Sequence, residues 1–195
     1  MSIEITQKKL KDALKSKGAP LFTGDLNLTL VGIRSADTDS NLFNDRLCVL
    51  MQIDGKMQLH QFACTTDPGL YYRYNPLNTK GTAILKAGHY AGCWLLGAHQ
   101  GKYKALVQRK PMTVFRDRNQ DGKLDFENEE SGLFGINLHK ASFNRYSMQV
   151  DKWSAGCQVL ANSDDFDTLM DLVEQSAKKY GERFSYTLLD EGDLQ

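Results

Sequence analysis

The sequence lacks three features that would each have pointed to a particular class of protein. It has no apolar run of the roughly 20 residues that a membrane-spanning helix needs, so no transmembrane segment is expected. It has no excess of charge, since Lys and Arg together number 24 and Asp and Glu also number 24. This balance argues against nucleic acid or an anionic membrane as the main partner. Its first ten residues lack the apolar centre of a secretory signal peptide, so we expect synthesis in the cytoplasm.

Cysteine is scarce, and no two of the four cysteines are spaced as a Cys-x-x-Cys metal or redox motif. Cys48, Cys64 and Cys93 lie in apolar, strand-like runs, a placement typical of buried reduced thiols. Cys157 is different because the small residues Ser154-Ala155-Gly156 precede it. This composition predicts a turn, which makes Cys157 the cysteine with a candidate chemical role.

The hydrophobic pattern predicts one mainly β domain over 1–195, a β-rich α+β fold with a helix at each end. Apolar residues at helical spacing predict helices over 5–17 and 164–180, the second with Ser163 as its N-cap. Alternating or short apolar runs predict strands over 26–33, 47–53, 57–64, 82–85, 92–96, 105–108, 112–115, 135–138 and 184–189. The pattern leaves the oligomeric state open.

The most informative pair is His139, which ends a strand-like run, and Cys157, eighteen residues later. Thiolate is the nucleophilic form of cysteine, and a nearby imidazole is the usual means of producing it near neutral pH. Gly156 permits a tight turn that would present the amides of Gly156 and Cys157 together, as an oxyanion hole requires. Ser154 is expected to orient this turn. If the pair does not meet in space, the alternative is a buried cysteine and an unrelated histidine.

Four further residues are candidates for contacts with a substrate. Strand alternation places Asn137 on the same face as His139, toward a cleft or solvent. Trp153 and Gln158 flank the Cys157 turn, and Tyr90 belongs to an aromatic-rich region. For the aromatic side chains, interior packing is the alternative interpretation.

The order of these residues resembles the L,D-transpeptidase catalytic family. That family's motif is a histidine near a strand end, a spacer of this size, and then Ser/Thr-His-Gly-Cys, usually followed by Arg or Asn. The resemblance covers roughly 82–162. It leaves 1–80 as an N-terminal helix and β elaboration and 163–195 as a C-terminal helix and strand. A papain-like enzyme is disfavoured, because there the cysteine precedes the histidine.

The resemblance implies an L,D-transpeptidase-like β-sandwich or barrel that acts on peptidoglycan stem peptides, with muropeptides as model substrates. It implies that Cys157 is the nucleophile and His139 the base of a thioester acyl-enzyme, and that catalysis needs no cofactor. Ala155 stands where the family usually has a second histidine, and Gln158 stands near where a cation would help bind a carboxylate. These departures leave transpeptidase, hydrolase and non-catalytic cell-wall or phage-associated binding module open. The mixed N-terminus predicts action at the cell wall after lysis or by non-classical delivery.

A second motif, 117–125, matches the first nine positions of an EF-hand-type calcium loop. Oxygen-bearing side chains stand at positions 1, 3, 5 and 9, Gly122 stands at position 6, and Lys123 would contribute only its carbonyl. The candidate ligands are Asp117, Asn119, Asp121, Lys123 and Asp125. Position 12 is Asn128 instead of the usual bidentate Glu, and the preceding run predicts a strand. The motif is therefore either a single structural calcium site or a solvated acidic hairpin loop.

Overall fold

The computed structural model describes residues 4–37, 41–143 and 146–195, and the fold is mainly β, as predicted. The helices are α1 (Gln7–Ser16), α2 (Leu70–Tyr74) and α3 (Ser163–Tyr180), and a 3-10 helix spans Glu191–Leu194. The strands are β1 (Thr29–Arg34), β2 (Asp45–Ile53), β3 (Lys56–Thr65), β4 (Thr82–Leu85), β5 (Gly88–His99), β6 (Tyr103–Gln108), β7 (Met112–Asp117), β8 (Glu130–Gly132), β9 (Leu138–Lys140), β10 (Gln158–Leu160) and β11 (Arg183–Asp190).

Eight strands form a closed barrel in the order β1-β11-β5-β6-β9-β10-β3-β2, and β4, β7 and β8 form a separate three-stranded sheet. Within the barrel, β1 pairs with β11 and β9 pairs with β10 in parallel. The barrel takes strands from all three of the predicted segments 1–80, 82–162 and 163–195. The N-terminal segment is therefore part of the barrel itself.

The first two strands are buried on both faces, which explains their long apolar runs. On one face, Leu30 and Val49 join the main core together with α3 and Trp94. On the other face, the neighbouring residues of β1 and β2 pack against Leu10 and Leu14 of α1. The helix thus covers strand surface that would otherwise contact water, and burial of this apolar area stabilises both elements.

Several element boundaries differ from the prediction for identifiable reasons. Leu26 adopts a positive φ of 63°, so β1 begins at Thr29 and not at residue 26. The N-cap of α3 is Asn162, whose side chain accepts a hydrogen bond from the amide of Asp164, and Ser163 is the first helical residue. Three short elements, α2, β8 and β10, carried no recognisable sequence pattern.

The strand predicted over 135–138 is displaced toward the C-terminus, which changes the setting of His139. The side chain of Gln108 accepts hydrogen bonds from the amides of Phe134 and Ile136, both at 2.9 Å. These amides are therefore not available to a strand partner, and Gly135 adopts a φ of 74°. Strand β9 begins only at Leu138, so His139 lies in the middle of a strand and not at its end.

No helix in the described ranges is both long enough and apolar enough to span a membrane.

Candidate functional site

A cavity of about 720 Å³ opens beside β9 and β10, and both His139 and Cys157 line it. The parallel pairing of the two strands sets their positions. Val159 is opposite His139, and the amide of Gln158 donates to the carbonyl of Asn137 at 2.9 Å. Cys157 is therefore the residue that enters β10 beside the strand that carries His139.

His139 is buried and held in one tautomer. Its exposed fraction is 5%, and its Nδ1 lies 2.9 Å from the carbonyl oxygen of Lys140. A carbonyl only accepts hydrogen bonds, so Nδ1 carries the proton and Nε2 keeps its lone pair. Burial, with a smaller effect from His99, lowers the pKa of His139 to about 4, although the hydrogen bond to Lys140 opposes this. The imidazole is thus a neutral, oriented base at physiological pH.

His99 and Asn137 fix the position of the His139 ring. The rings of His99 and His139 stack with centroids 4.1 Å apart. The side-chain oxygen of Asn137 accepts a hydrogen bond from the main-chain amide of Gln108 at 2.8 Å. This bond orients the side-chain NH₂ of Asn137 toward Nδ1 of His99, at 3.2 Å. Asn137 also lines the cavity, on the side predicted for it, but its two polar atoms are already engaged within the protein.

Cys157 is partly buried at the edge of the cavity, and a main-chain carbonyl orients its thiol. Its sulfur donates to the carbonyl oxygen of Gly135 at 3.4 Å. Burial raises the pKa of the thiol to about 11, and the backbone of Asn137 opposes the rise. Among the described residues, no hydrogen bond joins Cys157 to His139, so the resting pair is a thiol and a neutral imidazole.

The turn before Cys157 is organised by Ser154, as predicted. Ser154 Oγ accepts from the amide of Gly156 at 3.1 Å and donates to the carbonyl of Cys157 at 2.8 Å. The Gly156 amide is therefore engaged, which corrects the expectation that it is a free oxyanion donor. Within the described ranges, the main-chain amide of Cys157 has no hydrogen-bond acceptor. It is therefore the amide of this turn that remains available as an oxyanion donor.

Close packing makes Gly156 necessary. Its φ of 120° is a conformation that residues with a side chain rarely adopt, and a Cβ would lie 2.5 Å from the carbonyl oxygen of Ala83 in β4. On the other side of the turn, the amide of Gly69 donates to the carbonyl of Ser154 at 2.9 Å. The Cys157 turn is thus held between β4 and the start of α2.

Two of the predicted substrate contacts are structural residues instead. Gln158 is 1% exposed, and it links the carbonyl of Thr66 to the hydroxyl of Tyr186. The side-chain amide of Gln158 makes its hydrogen bonds inside the barrel because strand alternation points it away from the cavity. Tyr90 lies outside the cavity lining, with its hydroxyl within hydrogen-bond distance of the Lys86 and Thr113 carbonyls. Trp153 lines the cavity and is 42% exposed, which leaves it available to a ligand.

The cavity is lined by cations although the whole chain has no net charge. Its charged lining residues are Lys102, Arg116, Lys140 and Lys152, and no described acidic side chain lines it. Arg116 and Lys140 form ion pairs with Glu130 and Asp167, respectively. Lys102 and Lys152 form no ion pair with any described residue, so the cavity presents net positive charge to a ligand.

Exposed apolar side chains surround the same cavity. Leu77 is 78% exposed, Leu133 is 66% exposed and Phe143 is 56% exposed, and all three line it together with Trp153. An exposed apolar patch next to a pocket is typical of a surface that binds a ligand or partner.

The sequence did not reveal most of these lining residues. Lys140 follows His139 directly and contributes both a carbonyl and a charge, but a single lysine carries no recognisable signal. Lys152, Arg116 and Gly135 come together only through the barrel and the three-stranded sheet. Of the remaining histidines, His99 reaches the cavity, whereas His89 bonds Thr187 and does not line it.

The predicted calcium loop joins β7 to β8, at the edge of the sheet that forms one wall of the cavity. Asp117 ends β7 and is 1% exposed. Burial and the nearby Asp125 and Asp121 raise the pKa of Asp117 to about 6, against the backbone of Asn119 and the charge of Arg73. The described residues include no group of three or more His, Cys, Asp or Glu side chains already placed to hold a metal ion.

No protein-family model, curated protein or solved structure matches this chain.

Proposed function

We propose that this protein is an L,D-transpeptidase-like cysteine acyltransferase or hydrolase that acts on peptidoglycan stem peptides. The observation that carries the proposal is that Cys157 and a neutral, oriented His139 line one cavity. This arrangement of nucleophile, base and a third group that orients the base is the basis of thiol catalysis. The carbonyl of Lys140 has the orienting role here.

The reaction begins when the thiol hydrogen turns from the Gly135 carbonyl toward the cavity. His139 Nε2 takes the proton as the sulfur attacks the carbonyl carbon of a substrate amide. The Cys157 amide donates to the oxygen of the tetrahedral intermediate. When the intermediate collapses, the C–N bond breaks, His139 returns the proton to the leaving amine, and a thioester remains on Cys157.

The second half of the reaction releases the acyl group. An incoming amine or water gives its proton to His139 and attacks the thioester carbonyl. The C–S bond then breaks, and the sulfur recovers the proton. An amine acceptor gives transpeptidation, whereas water gives carboxypeptidase or endopeptidase activity.

The lining of the cavity supports a substrate that carries carboxylates. Lys102 and Lys152, which form no ion pair with a described residue, place positive charge on the cavity wall. They supply the cation that is missing at position 158, where Gln158 is neutral and buried inside the barrel. Stem peptides carry free carboxylates, and charge-assisted hydrogen bonds to such groups are stronger than neutral ones.

A second candidate is a non-catalytic module that binds cell-wall peptide. It is favoured by the resting state of Cys157, whose sulfur donates to Gly135 and whose pKa is raised to about 11. A thiol that stays protonated binds a peptide without attacking it. In that case the cationic cavity would hold the ligand and Cys157 would only pack.

The test is incubation of the protein with purified muropeptides, followed by mass analysis of the products. We expect new cleaved or cross-linked products from the wild type and none from Cys157→Ala, with slower reaction when the stem-peptide carboxylates are amidated. Binding of muropeptides by both proteins without any product would instead support the non-catalytic module. If the protein neither binds muropeptides nor forms a product, both candidates are contradicted.

A further inference from the structure

Asp117 is a buried carboxylate for which the described part of the chain provides no hydrogen-bond donor. It is 1% exposed, and neither of its oxygens accepts a hydrogen bond from a described residue. Leaving a buried carboxylate without a partner is costly, and such groups in native proteins are usually paired, hydrogen-bonded or bound to a metal. Arg73 supplies a positive charge that acts on Asp117, but both carboxylate oxygens remain without a hydrogen bond from any described residue.

The loop that follows Asp117 brings further oxygens toward the same place. Asp125 and Asp121 are the described charges that act most strongly on the Asp117 carboxylate. The side chain of Asn119 already contacts Asp125, with its Nδ2 2.5 Å from Oδ2. The three carboxylates and the Asn119 side chain thus come from one short loop, although the described side chains are not already gathered around one point.

Gly122 gives the loop its sharp bend. Its φ is 84°, and a Cβ would lie 2.5 Å from the hydroxyl oxygen of Tyr74. Arg73 donates to the carbonyl of Gly122 at 3.1 Å, so α2 supports the bend from outside. Gly122 and Lys123 thus stand at the sixth and seventh positions of a calcium loop, which require a sharp bend and a main-chain carbonyl ligand, respectively.

We propose that this loop binds one calcium ion through side-chain oxygens of Asp117, Asn119, Asp121 and Asp125 and the main-chain carbonyl of Lys123. Calcium takes hard oxygen ligands from carboxylates, amides and carbonyls alike, with water completing the set. For that reason a calcium loop does not need three acidic side chains already gathered in its metal-free form. Binding moves Asp125 from Asn119 to the ion and gives the Asp117 oxygens the direct contact that they lack among the described residues.

The ion would stabilise one wall of the cavity. Asp117 pairs with Thr82 in β4, and the next residue, Ala83, contacts Gly156 through its carbonyl. A second connection passes through α2, because Gly69 at its start holds Ser154 while Arg73 at its end holds Gly122. Calcium at the loop therefore acts on both supports of the Cys157 turn without being part of the chemistry.

The test is thermal unfolding of the full chain in calcium chloride, in magnesium chloride and in EGTA. We expect calcium at about 100 times its Kd to raise Tm by about 5 to 10 °C over EGTA, since binding to the folded state alone stabilises it. Magnesium at the same concentration is expected to give a smaller shift, because it demands a tighter octahedral site. The Asp121→Asn/Asp125→Asn double variant should lose the calcium shift, while Asp171→Asn on α3 should keep it.

A second variant separates binding from folding. Asp117→Asn removes the unpartnered charge, so it is expected to raise Tm in EGTA and to abolish the calcium shift. Calorimetric titration with calcium chloride checks binding directly. If calcium chloride up to about 10 mM, tenfold beyond the range of the weakest calcium modules, gives no heat and no Tm shift, the proposal is overturned. Cys157→Ala should keep the calcium shift, so failure of the enzymatic proposal and failure of this one are distinguishable.

Discussion

Replacing His139 by glutamine is expected to slow acylation of Cys157 by about 10² to 10⁴-fold at pH 7, because the variant lacks the base that accepts the thiol proton. The effect is measured as the rate at which an activated ester acylates the protein, followed by mass spectrometry. Glutamine retains a polar side chain of similar size at this buried position. His89→Gln is the matched control, since His89 lies outside the cavity, and it should react like the wild type.

The pH dependence of the same rate identifies the mechanism. The pKa of His139 is lowered to about 4 and that of Cys157 is raised to about 11, so the neutral pair predominates between these values. The wild-type rate should fall below about pH 4, where His139 becomes protonated, and stay nearly constant over the neutral range. In His139→Gln only free thiolate reacts, so the rate should rise about tenfold per pH unit. A wild-type rate that rises in this way would remove His139 from the mechanism.

Gly156→Ala is expected to lower the free energy of unfolding by about 3 kcal/mol or more. Two costs add: strain at a φ of 120°, and a Cβ 2.5 Å from the Ala83 carbonyl oxygen. Urea denaturation measures the change. Because Ala83 belongs to β4, relief of the clash requires the Cys157 turn to move, so acylation should slow as well.

Two glycine controls separate these costs. Gly135 has a φ of 74° and open space around it, so Gly135→Ala should carry only the backbone strain, about 1 to 2 kcal/mol. Gly192 does not have a φ in the left-handed region, and a Cβ placed on it would meet no atom within 4 Å. Gly192→Ala should therefore change stability by less than about 0.5 kcal/mol. Equal effects of all three substitutions would show that packing against Ala83 does not hold the turn.

The class of fold was predictable because apolar periodicity reports burial directly. The alternation in 47–53 and 57–64 with its Asp54-Gly55 turn predicted the hairpin of β2 and β3, which pair in register from Asp45 to Ile53. The spacing of apolar residues likewise predicted α1 and α3. What periodicity does not report is which strands close the barrel, since that depends on contacts distant in sequence.

The candidate site was predictable only where chemistry is concentrated in single residues. His139, Cys157 and Ser154 stand out by residue type, and the structure brings them to one cavity wall or turn. The roles of Gln158 and Tyr90 were misjudged because their hydrogen bonds to Thr66, Tyr186, Lys86 and Thr113 exist only in the folded chain. In the same way, Gln108 displaces strand β9 through side-chain bonds that no periodic pattern records.

The most direct test of the central claim is acylation of the native protein by a thiol-reactive β-lactam, with intact-mass analysis and peptide mapping. Cys157 lines an open cavity, whereas Cys48, Cys64 and Cys93 are buried. We predict a single adduct, located on Cys157, that is absent from Cys157→Ala and strongly reduced in His139→Gln. If Cys157 stays unmodified in the native protein while the denatured protein labels fully, Cys157 is not the nucleophile of an acyl-transfer enzyme.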